Sequence, residues 1–400
     1  MSRFTMLPAA ITFLCCVAGF AAAAEPASTN SLAAWQDKSR VKVSLVSDEL
    51  RHSMHAYYLT CPESPEGKWV LFYASTAAHG HTGELRIRER SSRREIVIAE
   101  GIETEDAHRA ACQQWLSGGK RVCFHNVLPD GQWAVMAVDV SPSGEPGKPK
   151  VLCLGRQVGF GQPAGDVVPI YGPHWNPGEH RDLELLNVAT GEIKETGLTA
   201  TGVKEKYPDW VAKQFADKPI SIFFPVLSPD QNRVFCKIAS PAGGDFRSKQ
   251  ASIRFGQVAF DLKENKFLSL TEKWGHPSWH PDSRHILDMG RVIDCTTGKW
   301  EMIPGYAKYR GDHPSYNPAA TLFTTDTIAE TFGGPAGFWD VVVGDVRTGH
   351  TTIVHRFDHS KGARSWRVSH PHPYFSADGK RLYFNVSDGP WTRLHVAEVK

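Results

Sequence analysis

The sequence predicts an all-β fold, a seven-bladed β-propeller, on three observations. A turn phrase of the Ser-Pro-Asp-Gly kind recurs seven times, and a second turn phrase interleaves with it. The 26 prolines and 35 glycines also punctuate the chain too densely for long stripes of helical period. A large all-β architecture can use 400 residues as one domain, so length alone does not divide the chain.

The amino terminus reads as a leader over residues 1–24. Arg3 supplies the positive start, Met6 to Phe20 is mostly apolar, and Ala22-Ala23-Ala24 before Glu25 offers a small-residue cleavage site. Leu14 stands before Cys15 and Cys16, where a lipoprotein site wants a small residue, so lipidation is not expected. No later run approaches the roughly 20 apolar residues that cross a bilayer. Residues 25–400 are therefore expected as a single propeller domain, secreted or periplasmic, monomeric and without membrane insertion.

The first phrase begins at Ser64-Pro65-Glu66-Gly67-Lys68, before Val70-Leu71-Phe72, and returns at Ser117-Gly118-Gly119-Lys120. A looser copy is Asn176-Pro177-Gly178-Glu179. Then come Ser228-Pro229-Asp230-Gln231, His280-Pro281-Asp282-Ser283, Asn317-Pro318-Ala319-Ala320 and Ser376-Ala377-Asp378-Gly379-Lys380. Each reads as a tight turn entering a strand. The second phrase is Thr190-Gly191-Glu192, Thr297-Gly298-Lys299 and Thr348-Gly349-His350, with cousins at Ser143-Gly144-Glu145 and Glu264-Asn265-Lys266. Two hairpins per unit make a four-stranded sheet, repeated radially as blades. The last unit ends without an outer strand, and Val41-Lys42-Val43-Ser44-Leu45-Val46 can supply it and so close the ring, removing an exposed sheet edge.

A net charge of +2 gives no electrostatic reason to expect nucleic acid or a membrane surface. Cys61, Cys112, Cys123, Cys153, Cys236 and Cys295 are even in number but spread singly, with no Cys-x-x-Cys pair. Buried thiols are the expected state of most of them, although an oxidising compartment permits disulfides.

Counting four residues upstream of the turns at Ser376, Asn317 and His280 gives His372, His313 and His276. Three successive units carry histidine at the start of the innermost strand, so the side chains should ring one mouth of the channel. His370, two residues before His372, projects to the same side. Converging imidazoles suit zinc, manganese or another divalent transition metal. The competing reading is hydrogen bonding in a wet channel, and registration across three units favours the metal. A second group follows from hairpin geometry. His108 and His125 flank one up-and-down strand pair and are expected to lie near each other, and the next unit presents Tyr171, His174 and Arg181.

Seven such units, with Gly275-His276-Pro277-Ser278-Trp279 and Ser369-His370-Pro371-His372-Pro373, resemble the propeller polysaccharide lyases, which include the oligogalacturonate lyases and the ulvan lyases. The blade phrase alone is shared with TolB-like propellers. The resemblance to oligogalacturonate lyase implies that His276, His370 and His372 bind metal. Arg367 stands where that family has a glutamine ligand, and Ile222-Phe223-Phe224-Pro225-Val226 lacks the histidine expected as its base. The resemblance to the ulvan lyases implies a catalytic set of His108, His125, Tyr171 and Arg181. In that scheme Arg181 and His125 hold the uronate carboxylate while His108 and Tyr171 exchange protons. The metal at His276, His313, His370 and His372 is then structural, whereas in the oligogalacturonate scheme it binds the carboxylate itself. Both imply a lyase that acts on an acidic polysaccharide or oligosaccharide by β-elimination. The alternatives are a non-catalytic TolB-like propeller that binds a protein or glycan, and a metal-dependent hydrolase.

Overall fold

The computed structural model describes residues 30–400 apart from 106–107, 249, 274, 307–310 and 364–369. The expected leader and Arg367 lie outside the described residues. Antiparallel strands dominate. Five four-stranded sheets each use four strands consecutive in the chain. They run from Gln114–Leu116 to Lys150–Leu154, Gln157–Val158 to Ile193–Glu195, Ser221–Leu227 to Lys266–Thr271, Pro277–Trp279 to Trp300–Met302, and Ser315–Tyr316 to Thr351–Asp358.

The remaining sheet has eight strands in two halves. One half is His52–Met54, Trp69–Ser75, Thr82–Glu89 and Glu95–Glu103. The other is Tyr374–Phe375, Arg381–Ser387 and Thr392–Val399, with Val41–Leu45 on its outer edge. Only the parallel pairing of Ser53 with Arg393 joins the halves. The expected N-terminal strand thus completes the last unit, in a register from Val41 opposite Val399 to Leu45 opposite His395.

The turns at Ser64, Ser117, Ser228, His280, Asn317 and Ser376 each precede the second strand of a unit, as their sequence predicts. The one at Asn176 does not. Asn176–Glu179 lies between the second strand, Val167–Tyr171, and the third, Glu184–Asn187. There Gly172 N–H donates to His180 O at 2.9 Å and closes a loop at the other end of the sheet. The equivalent turn is Gln162-Pro163-Ala164-Gly165, where Gly165 N–H donates to Gln162 O at 2.9 Å. All five second-phrase turns join third and fourth strands.

Apolar side chains fill the seams between neighbouring sheets. Leu71, Leu85 and Ile98 of one sheet pack with Trp115, Phe124 and Val138 of the next. Each such side chain contributes roughly 1.5–3 kcal/mol by leaving water. Tyr57, Tyr58, Phe160, Phe223, Phe224 and Phe235 belong to a cluster that draws on several sheets. Two short helices, Ala200–Lys206 and Pro208–Phe215, interrupt the repeat. The Thr199 side chain caps the first by accepting from Gly202 N–H, and Pro208 starts the second. Trp210, Val211 and Phe215 bury their face against Ile222 and Ile238. The six cysteines from Cys61 onward are buried free thiols. Among the described residues no helix is long and apolar enough to cross a membrane.

Candidate metal centre and adjoining cavity

His276, His313 and His372 stand just before the innermost strands Pro277–Trp279, Ser315–Tyr316 and Tyr374–Phe375. The ligand atoms of His108, His313, His370 and His372 all lie within 4.8 Å of one another. His276 stands one step aside, grouped with Asp312 and His313, its Nδ1 3.3 Å from Asp312 Oδ1 and its ring 4.3 Å from that of His313. Three of the four histidines expected around a metal therefore converge directly, and the fourth adjoins them.

His108 completes the set. Its Nε2 lies 3.0 Å from His372 Nε2, and its rings meet those of His370 and His372 at 4.7 and 4.2 Å. This differs from the expected pairing of His108 with His125. The reason is local backbone: Ala110 and Cys112 take positive φ, so the segment before Gln114–Leu116 is no regular strand and strand register does not carry back to position 108. His372 itself has φ 51°, a costly conformation that the surrounding fold must hold in place.

A buried carboxylate orients the cluster. Asp326, in the middle of Leu322–Ile328, accepts from His313 Nδ1 at 3.0 and 3.1 Å, and from the main-chain N–H groups of His313 at 3.1 Å and His372 at 3.0 Å. A proton on His313 Nδ1 leaves Nε2 as the lone-pair nitrogen facing the other imidazoles, the arrangement common behind metal-bound histidine. Burial pushes Asp326 up to about 7, against the pull of His370. Burial also opposes ionisation of Asp312, yet the hydrogen bond from His276 and the neighbouring His313 and His370 hold its carboxyl well below the usual range. Tyr57 packs 4.4 Å from His372 and Tyr58 5.0 Å from His313. Four clustered imidazoles, one locked in tautomer by a carboxylate, fit zinc or manganese.

Beside this cluster opens a cavity of about 410 Å³, lined by Tyr57, Arg109, Phe223, Phe224, Lys237, Arg254 and His276 among others. Two β-bulges shape it. One lies between Phe223 and Val226, with Phe224 at φ 54°, and the other between Cys236 and Ile238, at Lys237. Bulges re-aim side chains out of the alternating pattern. Lys237 is buried and donates to Gly275 O at 2.5 Å. Arg109 pairs with Glu105 and lies 5.8 and 5.5 Å over the rings of Phe223 and Phe224.

The other sequence-derived residues fall around Arg109 or apart from it. His125, in Arg121–Val127, has its ring 5.4 Å from Trp133, and burial, helped by Arg109, pushes it down to about 3. Tyr171, at the end of Val167–Tyr171, is pushed up to about 12 by burial, with Arg109 pulling the other way. Arg181 does not line the cavity; its carbonyl accepts from Ile222 N–H at 2.7 Å. Sequence reasoning missed Arg109, Lys237, Arg254, Asp312 and Asp326. Only Arg109 had a signal, its place beside His108.

No family model matches the sequence, and no curated protein matches it. Solved structures do. An oligogalacturonate lyase in complex with manganese is similar with a TM-score of 0.57 at 15% identity, over 90% of this chain and 93% of that one. The oligogalacturonate lyase from Vibrio parahaemolyticus is similar with a TM-score of 0.58 at 14% identity, over 91% of this chain and 95% of that one. A putative TolB from Agrobacterium tumefaciens shows a TM-score of 0.40 at 12% identity, over 90% and 98%. At such identities the likeness is one of fold, an all-β fold of the propeller type.

Proposed function

We propose that the chain is a seven-bladed propeller, in which the two halves of the eight-stranded sheet count as two blades and Val41–Leu45 closes the ring. We infer that it is a secreted lyase that cleaves a uronic-acid-containing polysaccharide or oligosaccharide by β-elimination. The observation that carries this reading is a cavity with three cationic side chains, Arg109, Lys237 and Arg254, set against the histidine cluster.

β-Elimination from a uronate needs its carboxylate neutralised, its C5 proton removed and its leaving oxygen at C4 protonated. Arg254 and Arg109 supply positive charge where a carboxylate would sit, and a guanidinium can hold both oxygens at once. Lys237 and His276 share the cavity wall, because Lys237 is bonded to the carbonyl of Gly275, the residue before His276. They are the groups placed to take the C5 proton and to deliver one to the leaving oxygen. His125, neutral at ordinary pH, and Tyr171, protonated there, stand behind Arg109 and hold it in place. His108, His313, His370 and His372 would hold a divalent ion, with His276 and Asp312 at its side. When bound, such an ion would draw charge from the substrate carboxylate as a Lewis acid.

The experiment is to incubate the protein with uronate oligosaccharides and polymers and to follow absorbance from the new C4–C5 double bond. Activity is expected, and Lys237→Ala is expected to lower kcat by about 100-fold or more, as for loss of a positioned acid or base. No absorbance rise with any uronate substrate, with metal supplied, refutes the reading and leaves a non-catalytic binding propeller.

A further inference from the structure

The largest hollow in the molecule is a second one. A groove of about 1040 Å³ runs past Trp133, Trp175 and Phe246, and Glu84, Glu100, Glu103 and Asn126 line it as well. The three aromatic rings come from separate parts of the chain and meet there. Trp133 and Trp175 lie 5.3 Å apart at 68°, and Trp175 and Phe246 5.4 Å apart at 30°. Trp175 and Phe246 are only half-buried, so both keep surface toward the groove. Phe246 sits on the connection between Arg233–Pro241 and Ser252–Asp261. That connection bends through Gly243 and Gly244, at φ 86° and 92°, and is tied across the molecule by Arg247, which pairs with Glu103 and donates to Thr104 O at 3.4 Å.

We propose that this groove is a sugar subsite that takes a neutral pyranose of the same chain whose uronate occupies the cationic cavity. The proposal rests on the reading above and deepens it: the substrate is a mixed chain of uronate and neutral sugars, not a polyuronate. Three observations carry it. Half-exposed aromatic faces match the apolar C–H face of a pyranose, while Asn126 and the acids can bond its hydroxyls. The two hollows differ in charge, cationic at Arg109, Lys237 and Arg254 and acidic at Glu84, Glu100 and Glu103, so a second carboxylate is disfavoured in the groove. Finally, the two are neighbours. The ring of His174 lies 4.8 Å from Trp175 and 4.4 Å from Phe223, which lines the cavity, so a single imidazole separates the two walls.

The test measures tryptophan fluorescence titrations and elimination rates on three probes. These are a tetrasaccharide that alternates uronate and neutral sugar, a tetrauronate, and a disaccharide. The alternating tetrasaccharide is expected to bind at least about tenfold more tightly than either other probe, the effect of covering roughly 55 Å² of apolar surface. Trp175→Ala should abolish that preference and Trp175→Phe should keep most of it. Phe246→Ala serves in the same role should Trp175→Ala fail to fold by circular dichroism. Equal binding of tetrauronate and alternating chain, or a preference unchanged in the folded variants, overturns the proposal. Tryptophan-dependent binding without any elimination instead removes the lyase reading and leaves the subsite standing.

Discussion

Replacing Asp326 by Asn separates a metal centre from a merely polar channel. The carboxylate accepts from one imidazole nitrogen and two main-chain N–H groups, all at 3.0–3.1 Å. An amide of the same size has one accepting oxygen, so at least one of those donors would face an NH₂ group. The negative charge behind His313 would also vanish. Loss of such a partner typically weakens metal binding by about 10–100-fold. With the ion held at 100 times the wild-type Kd, binding stabilises the fold by about 2.7 kcal/mol, and a tenfold weaker site leaves about 1.4 kcal/mol. Zinc or manganese titration by calorimetry reads the first figure, and thermal unfolding with and without metal reads the second. A folded Asp326→Asn protein with wild-type affinity would refute the role given to Asp326. Absence of binding by the wild type would remove the metal centre.

Other outcomes follow from the same structure. Trp35 is fully buried with its ring 5.6 Å edge-on to Phe375, so Trp35→Ala should cost about 3–5 kcal/mol in denaturant unfolding. His125 stays neutral in the fold down to about pH 3 but takes a proton once unfolded, below about 6.5. The unfolded state then binds more protons, and stability falls as pH drops. Between pH 7 and 5 the share of His125 in that loss is about 2 kcal/mol, and His125→Gln should flatten the pH dependence by that amount. A Cβ at Gly349, which has φ 68°, would sit 1.5 Å from Pro304 O, so Gly349→Ala should destabilise by about 3 kcal/mol or more in thermal unfolding.

The turns were legible because each needs particular residues: Gly, Pro, Asp and Ser at a strand reversal leave a mark that repeats with the unit. The third unit shows the limit of this signal. Its true turn, Gln162-Pro163-Ala164-Gly165, keeps only the proline and glycine, while Asn176-Pro177-Gly178-Glu179 copies the phrase in a loop at the other end of the sheet. Histidine register held at 276, 313 and 372, where a regular strand follows at once. It did not extend to His108, which reaches the cluster through a segment with positive φ at Ala110 and Cys112. Lys237 escaped notice for a related reason, since it sits at a bulge and period-two alternation cannot say which way it points. Asp326 reads in sequence as one polar residue of an ordinary strand, and only its burial behind His313 gives it meaning.

The pairing of Val41–Leu45 with Thr392–Val399 also bears on how the protein is made. Synthesis runs from the amino terminus, so this first strand emerges with no partner and waits until almost the last codon is translated. Joining the two ends closes a loop of nearly the whole chain, and contacts so distant in sequence form slowly. Until then Trp35 and the open edge of Thr392–Val399 lack their cover, a state prone to aggregation. A truncation that removes a few C-terminal residues should therefore harm folding far more than its length suggests, and holding factors should favour the nascent chain until its two ends meet.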